Sequence, residues 1–132
     1  MIFIHNLRVY YEDTDMAGIV YYANYLKFAE RGRSDAVRDM GIDQNEMKAN
    51  GLVFAIRSMT ADYHVAAKFG DELTVETITS KLGGASLEMS QRILRNDTLI
   101  YSAVFKVACM DDAGKAARLP AEIRLKLQKS LP

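Results

Sequence analysis

Apolar and polar positions along this chain change period twice. The first stretch, Ile2 to Glu12, is rich in β-branched and aromatic residues and predicts a strand. From Val20 to Met40 the period becomes helical, with Tyr25, Ala29, Gly32, Ala36 and Met40 recurring at steps of three and four. Lys27, Glu30, Arg31, Arg33, Asp35, Arg38 and Asp39 fill much of the remainder, and Gly41 stands where a C-terminal cap is expected. Ala29, Gly32 and Ala36 make one helix face slim, which lets a sheet approach closely.

After the helix the pattern becomes that of strands. Leu52 to Val65 is long and rich in β-formers. Glu72 to Lys81 alternates, with Leu73, Val75, Thr77 and Thr79 on one face. Ser86 to Arg95 alternates with Leu87, Met89 and Ile93 on one face. Leu99 to Met110 is apolar apart from Ser102 and Lys106, which predicts a central strand. Turns fall at Gly83-Gly84, at Asn96-Asp97 and at Asp111 to Gly114. Pro120 opens a short helix with Leu119, Ile123 and Leu127 on one stripe. Successive strands joined by tight turns make an antiparallel sheet. The expected fold is α+β, an antiparallel sheet of about five strands wrapped around one long helix. A single helix leaves the other sheet face bare, so a homodimer or larger assembly is expected.

Composition narrows the chemistry. The chain has 132 residues, which makes residues 1–132 a single domain by default. Apolar residues make up 49% and charged residues 26%, as in folded globular proteins, so disorder is excluded. Seventeen basic residues balance seventeen acidic ones, which argues against nucleic acid and against a polybasic membrane-surface role. The only cysteine is Cys109, so no internal disulfide exists, and with two histidines a Cys/His zinc site has too few ligands. No apolar run approaches the roughly 18 residues of a membrane span, and the N-terminus lacks a signal-peptide pattern. A cytoplasmic, reducing compartment is the expected location.

The stretch with most chemistry joins the first strand to the long helix, Tyr11-Glu12-Asp13-Thr14-Asp15-Met16-Ala17-Gly18-Ile19-Val20-Tyr21-Tyr22-Ala23-Asn24-Tyr25. Three acids fall within four residues, just before a helix N-terminus. Asp13 or Asp15 can serve as an ordinary cap. The same arrangement also suits acyl chemistry. Free N–H groups at a helix start can hold an oxyanion, and a nearby carboxylate can attack a carbonyl or activate water. Gly18 can admit close backbone approach, and Tyr21, Tyr22 and Tyr25 can supply an aromatic wall.

The string D-T-D-x-x-G-x-V-Y-x-x-N-Y, from Asp13 to Tyr25, resembles the hot-dog-fold acyl-CoA thioesterases of the 4-hydroxybenzoyl-CoA thioesterase group. It is most similar to the bacterial branch associated with the Tol-Pal envelope system. Phe28-Ala29-Glu30-Arg31, Tyr63, Gly70-Asp71, Leu73, Ser86, Gln91-Arg92-Ile93 and Leu119-Pro120 extend the resemblance over nearly the whole chain. The resemblance implies a hot-dog fold and hydrolysis of acyl-CoA, or of acyl carrier protein thioesters, to free acid and thiol. It implies that Asp15 is the catalytic carboxylate and that the backbone N–H of Tyr22 holds the thioester carbonyl. Asp13, Gly18, Val20, Asn24 and Tyr25 fall on positions that support or shape the site. It further implies a homodimer or homotetramer, with no cofactor beyond the coenzyme A of the substrate.

Three positions depart from that pattern or qualify it. Tyr22 stands where many relatives place His, and Ala66 stands where Pro is common, which should soften a strand end. Glu30 matches the helical carboxylate of a separate thioesterase branch, but with Asp15 present it reads as structural, paired with Arg31 or Arg33. Lys81 and Arg118 are candidate contacts for coenzyme A phosphates. After Gly114, five cations (Lys115, Arg118, Arg124, Lys126, Lys129) face one acid, Glu122, which suits phosphates or an acidic carrier protein. His5 and His64 read as strand residues with local hydrogen bonds, and Cys109 as core. Phosphatases of the haloacid-dehalogenase kind also pair two acids as in Asp13-x-Asp15, but they need a Rossmann-like sheet. Hot-dog dehydratases rely on a His paired with an acid, and neither His5 nor His64 stands at a helix start. A non-catalytic acyl- or carrier-protein-binding subunit is the alternative function.

Overall fold

The computed structural model describes residues 1–132. Five strands form one antiparallel sheet: β1 (Phe3–Arg8), β2 (Leu52–Tyr63), β3 (Glu72–Leu82), β4 (Ser86–Arg95) and β5 (Thr98–Asp111), in spatial order β1-β3-β4-β5-β2. The hairpins β3–β4 and β4–β5 follow the predicted turns, and Leu99 to Met110 does lie on an interior strand. The long helix α1 (Asn24–Asp39) crosses one face, and the short helix α3 (Ala121–Ser130) packs beside it against β3. This is the expected α+β architecture.

The slim helix face is where the sheet comes closest. A Cβ on Gly32 would stand 2.6 Å from Val75 Cγ1, 3.1 Å from Gln91 Nε2 and 3.2 Å from Thr77 Oγ1. Gln91 is buried, and it bonds the helix to the sheet. Its Nε2 donates to the Ala29 carbonyl (2.8 Å) and to Thr77 Oγ1 (2.9 Å), while its Oε1 accepts from Arg33 Nη1 (3.0 Å). The Arg33 guanidinium then lies 4.0 Å over the Phe105 ring. Tyr25, Phe28, Ala29 and Val37 of α1 meet Val75, Met89, Ile93, Tyr101 and Phe105 in one core.

Several boundaries differ from the sequence reading, each for a local reason. The first strand stops at Arg8, because residues 11–13 curl into a 3-10 turn held by Asp13 Oδ2 accepting from the Tyr10 N–H at 2.8 Å. The long helix starts at Asn24 rather than Val20. The Val20 N–H donates to the Ala67 carbonyl and the Tyr21 N–H to the Asp13 carbonyl, so both residues remain extended. A second helix, α2 (Gln44–Ala49), lay outside the sequence reading; Asp43 caps it by accepting from the N–H groups of Asn45 and Glu46. Strand β2 ends at Tyr63, so Ala66 lies in the following loop and not at a strand end. The outer sheet face mixes polar and apolar residues, with Ile4 opposite Glu76 and with Ile78 and Val104 flanking Ser90. There Glu76 pairs with Arg92 (3.4 Å) and Ser90 Oγ donates to Ser80 Oγ (3.0 Å). Exposed apolar side chains lie on both edge strands, at Ile4 of β1 and at Val53 and Ile56 of β2.

The loop of residues 64–71 fastens the start of β3 to β1 and to the end of β4. Gly70 N–H donates to the Val9 carbonyl, and Val9 N–H to the Asp71 carbonyl. Asp71 Oδ2 accepts from the Lys68 N–H (2.9 Å) and from Arg95 Nη1 (2.8 Å). Burial pushes the Asp71 carboxyl up, but the Lys68 and Arg95 bonds outweigh it and hold the group below its usual value of 3.8.

Two outcomes check this packing. Gly32→Leu should lower unfolding free energy by about 2 kcal/mol or more, since nothing around Gly32 can accept the added volume; an unchanged urea midpoint would contradict the close approach. The lowered Asp71 value means that its stabilisation is present above the ordinary carboxylate range and is lost as pH falls through the folded value. Asp71→Asn should therefore cost about 1 kcal/mol at neutral pH. The gap to the parent protein should close below about pH 3.8. A gap that is constant down to strong acid would contradict it.

Candidate active site

The loop between β1 and α1 is a small antiparallel hairpin. Thr14 pairs with Val20, the Asp15 N–H donates to the Ile19 carbonyl (2.9 Å), and the Gly18 N–H donates to the Asp15 carbonyl (3.0 Å). Gly18 has φ +78°, and nothing lies within 4 Å of where its Cβ would be, so its backbone conformation calls for glycine. The Asp15 carboxylate is partly exposed at this turn. Its Oδ1 accepts from the Ala17 N–H (2.9 Å), and Oδ2 has no hydrogen-bond partner. One carboxylate oxygen is thus held while the other is free.

Asp13 does a different job. Its side chain caps the 3-10 turn, and its carbonyl accepts two bonds, from the Tyr21 N–H (2.9 Å) and from Asn24 Nδ2 (2.9 Å). Asn24 therefore ties the first residue of α1 to the acidic arm of the loop. The Asn24 N–H also donates to the Tyr21 carbonyl at 2.8 Å, closing a turn around Tyr22 and Ala23. Tyr22 lies two residues ahead of the first helical residue. Its N–H has no backbone or side-chain acceptor, and neither has that of Ala23. The structure thus brings Asp15, with its free oxygen, and the free Tyr22 amide onto one short hairpin-and-turn unit.

The other sequence candidates divide clearly. Val20 is buried, and its N–H to the Ala67 carbonyl (2.8 Å) anchors the hairpin. Tyr25 is a core pillar rather than part of a wall. Its hydroxyl accepts from the Ala67 N–H (3.1 Å), and its ring stacks on Tyr101 at 5.1 Å. Tyr21 and Tyr22 are exposed, with ring centroids 5.0 Å apart. Glu30 pairs with neither Arg31 nor Arg33; its Oε1 accepts from Ser34 Oγ at 2.7 Å. It lines a groove of about 180 Å³ between α1 and β2, with Arg33, Val37, Phe54, Ile56 and Met89. No group of three or more His, Cys, Asp or Glu side chains gathers where it could hold a metal ion.

Lys81 and Arg118 do not join Asp15 within one chain. Lys81 is highly exposed, lies 3.9 Å from Glu88, and stands near the far end of β3 from the Asp15 loop. The nine residue-to-residue steps of strand from Glu72 to Lys81 span about 30 Å. Arg118 is exposed beside Gly84 and Arg124, at the same remote end. His5 bonds Asp35 of α1 (2.6 Å) and His64 bonds Ser102 (2.9 Å), contacts far apart in sequence rather than local, and neither bonds the Asp15 loop. Cys109 is buried, which pushes its thiol up. The long-range bonds of Tyr63 and Ala67 to the helix start had no spacing signal in the sequence, since they join positions about forty residues apart.

Known proteins share this arrangement of elements. An acyl-CoA thioesterase, YbgC, of Haemophilus influenzae is 41% identical over 120 residues, covering 89% of this chain and 88% of its own length. An Escherichia coli acyl-CoA thioester hydrolase, also YbgC, is 39% identical over 106 residues, covering 80% of this chain and 79% of its own. Among solved structures, a probable thioesterase from Bartonella henselae superposes with a TM-score of 0.86 at 37% identity, covering 91% of this chain and all of its own (100%). A family model matches residues 9–127, a span that takes in the Asp15 hairpin, α1 and the whole of β2 to β5, and this chain belongs to the thioesterase-like superfamily.

Proposed function

We propose that this chain hydrolyses the thioester of acyl-CoA to a free acid and coenzyme A, with Asp15 as the reacting carboxylate and the Tyr22 amide as the oxyanion donor. The observation that carries the reading is that a half-free carboxylate and an unpaired amide belong to the same short loop entering α1. The relatives named acyl-CoA thioesterase support the substrate class. Asp15 acts by taking a proton from an attacking water or by adding to the carbonyl itself. Either way the carbonyl oxygen gains negative charge, and the Tyr22 N–H stabilises it by donating a hydrogen bond to it. Collapse of the tetrahedral species breaks the C–S bond, giving the free acid directly when water attacked; when Asp15 itself added, it leaves an acyl-Asp15 anhydride, which a water then hydrolyses to the free acid and the Asp15 carboxylate. The thiolate leaves and takes a proton from the medium. A thioester suits a site with so little acid–base equipment, because its leaving group needs no prior protonation. The acyl group has room along α1 towards the groove at Glu30, about 12 Å from Tyr22 at 1.5 Å per helical residue.

The same reading places the protein in the cytoplasm and makes it a homo-oligomer. The partner copy would cover the free edge of β2, twelve residues long with Val53 and Ile56 exposed. Lys81 and Arg118 lie too far from Asp15 to touch its substrate within one chain. They would meet coenzyme A phosphates only across copies, in a dimer or a tetramer. Acyl carrier protein is a second candidate carrier, for which the exposed Arg118 and Lys129 offer positive charge.

Asp15→Asn keeps the shape and removes the base. It should lower kcat on acyl-CoA by at least about a hundredfold with an unchanged circular dichroism spectrum; turnover like the parent protein's would sink the assignment. Lys81→Ala should raise KM with little change in kcat, and an unchanged KM would remove Lys81 from the coenzyme A contacts.

A further inference from the structure

We propose that Tyr63 is a positioning residue for the oxyanion site: its hydroxyl holds the Tyr22 carbonyl and so fixes the peptide plane that presents the Ala23 N–H beside that of Tyr22. The inference rests on the reading of Tyr22 given above and adds a second donor to it. Tyr63 closes β2, 41 residues from Tyr22, and its Oη donates to the Tyr22 carbonyl at 3.1 Å. That carbonyl has no other protein partner. The Leu26 N–H, which could have bonded it in a regular helix, donates to the Ala23 carbonyl instead, at 3.2 Å.

A carbonyl and the following N–H are two ends of one rigid peptide plane. Two consecutive planes precede α1. The first carries the Tyr21 carbonyl, held by the Asn24 N–H, and the free Tyr22 N–H. The second carries the Tyr22 carbonyl, held by Tyr63, and the free Ala23 N–H. Each free donor therefore has its plane fixed at the carbonyl end by one hydrogen bond. A bond to the carbonyl also polarises the plane and strengthens the opposite N–H as a donor.

Tyr63 is built to hold still although it is half exposed. Its ring meets Tyr25 (5.6 Å), Tyr101 (5.2 Å) and Tyr22 (6.4 Å) edge-on. Tyr25 and Tyr101 are themselves buried and stacked. Burial foremost, and then the neighbouring Tyr22, push the Tyr63 phenol above its usual value, so it remains a donor through the neutral range. Water can replace an exposed hydroxyl in stabilising a carbonyl, but it cannot fix the plane's direction.

The test is Tyr63→Phe, which keeps the ring and deletes the donor. The thermal midpoint should stay within about 2 °C. On a saturating acyl-CoA, kcat should fall about tenfold, a fraction of the loss that follows removal of a whole oxyanion donor, while KM stays within about twofold. The residual turnover of Asp15→Asn should fall by the same factor when Tyr63→Phe is added, because the two groups act on different atoms. Turnover like the parent protein's in Tyr63→Phe, an effect confined to KM, or no effect in the Asp15→Asn background would each overturn the inference. An active Asp15→Asn would instead overturn the underlying site, so the two failures are distinguishable.

Discussion

The close seat of α1 on the sheet at Gly32 governs where everything else can go. No side chain separates helix from strand there, so the helix backbone sits against Val75 and Thr77, and Gln91 bonds across the contact to the Ala29 carbonyl and to Arg33. Buried polar groups are costly when unpaired, so this network tolerates little sliding or rotation of the helix. Fixing α1 in this way fixes its first turn. The stacked pair Tyr25–Tyr101 and the bond from Ala67 to the Tyr25 hydroxyl pin that turn to β5 and to the loop after β2.

The reactive geometry follows from how the chain enters this fixed helix. Val20 and Tyr21 spend their N–H groups on Ala67 and Asp13, which keeps the entry extended until residue 22. The helix then begins abruptly, leaving the amides of Tyr22 and Ala23 without acceptors. Asp15 is held one short hairpin away, with its backbone and one carboxylate oxygen committed and the other oxygen free. A fold with two histidines and one buried thiol therefore still carries a carboxylate with a free oxygen and unpaired amides on one loop, the groups to which the proposed reaction assigns base and oxyanion donor. Tyr101 shows the cost of so tight an aromatic core. Its buried hydroxyl has no partner, and burial pushes its ionisation up to about 12.

Much of this could be read from the sequence, and the parts that could not share a cause. The inward faces of α1, β3 and β4 followed from periodicity, because each buries one face and exposes the other. Asp15 and Asn24 stood out through a motif confined to one loop. Boundaries failed where a long-range bond overruled local propensity. Val20 has helical neighbours yet stays extended for Ala67, and Tyr11 has a strand former's side chain yet curls because Asp13 caps Tyr10. Helix α2 buries only Met47, so no periodic stripe in the sequence announces it. The polar part of the outer face is visible in Glu76, Ser80, Ser90 and Arg92, but only the strand register shows that they sit among Ile4, Ile78 and Val104. The Tyr63 bond to Tyr22 depends wholly on the fold.

The central claim is that a thioester carbonyl sits between the Tyr22 amide and the Asp15 carboxylate. A crystal structure with a non-hydrolysable acyl-CoA analogue, in which a methylene group separates the carbonyl from sulfur, tests this directly. The account predicts the carbonyl oxygen at about 2.7–3.1 Å from the Tyr22 nitrogen. It also predicts Asp15 Oδ2 facing the carbonyl carbon, directly or through one water. A carbonyl bound elsewhere, for example beside Glu30 in the groove between α1 and β2 with the Tyr22 amide left free, would contradict it.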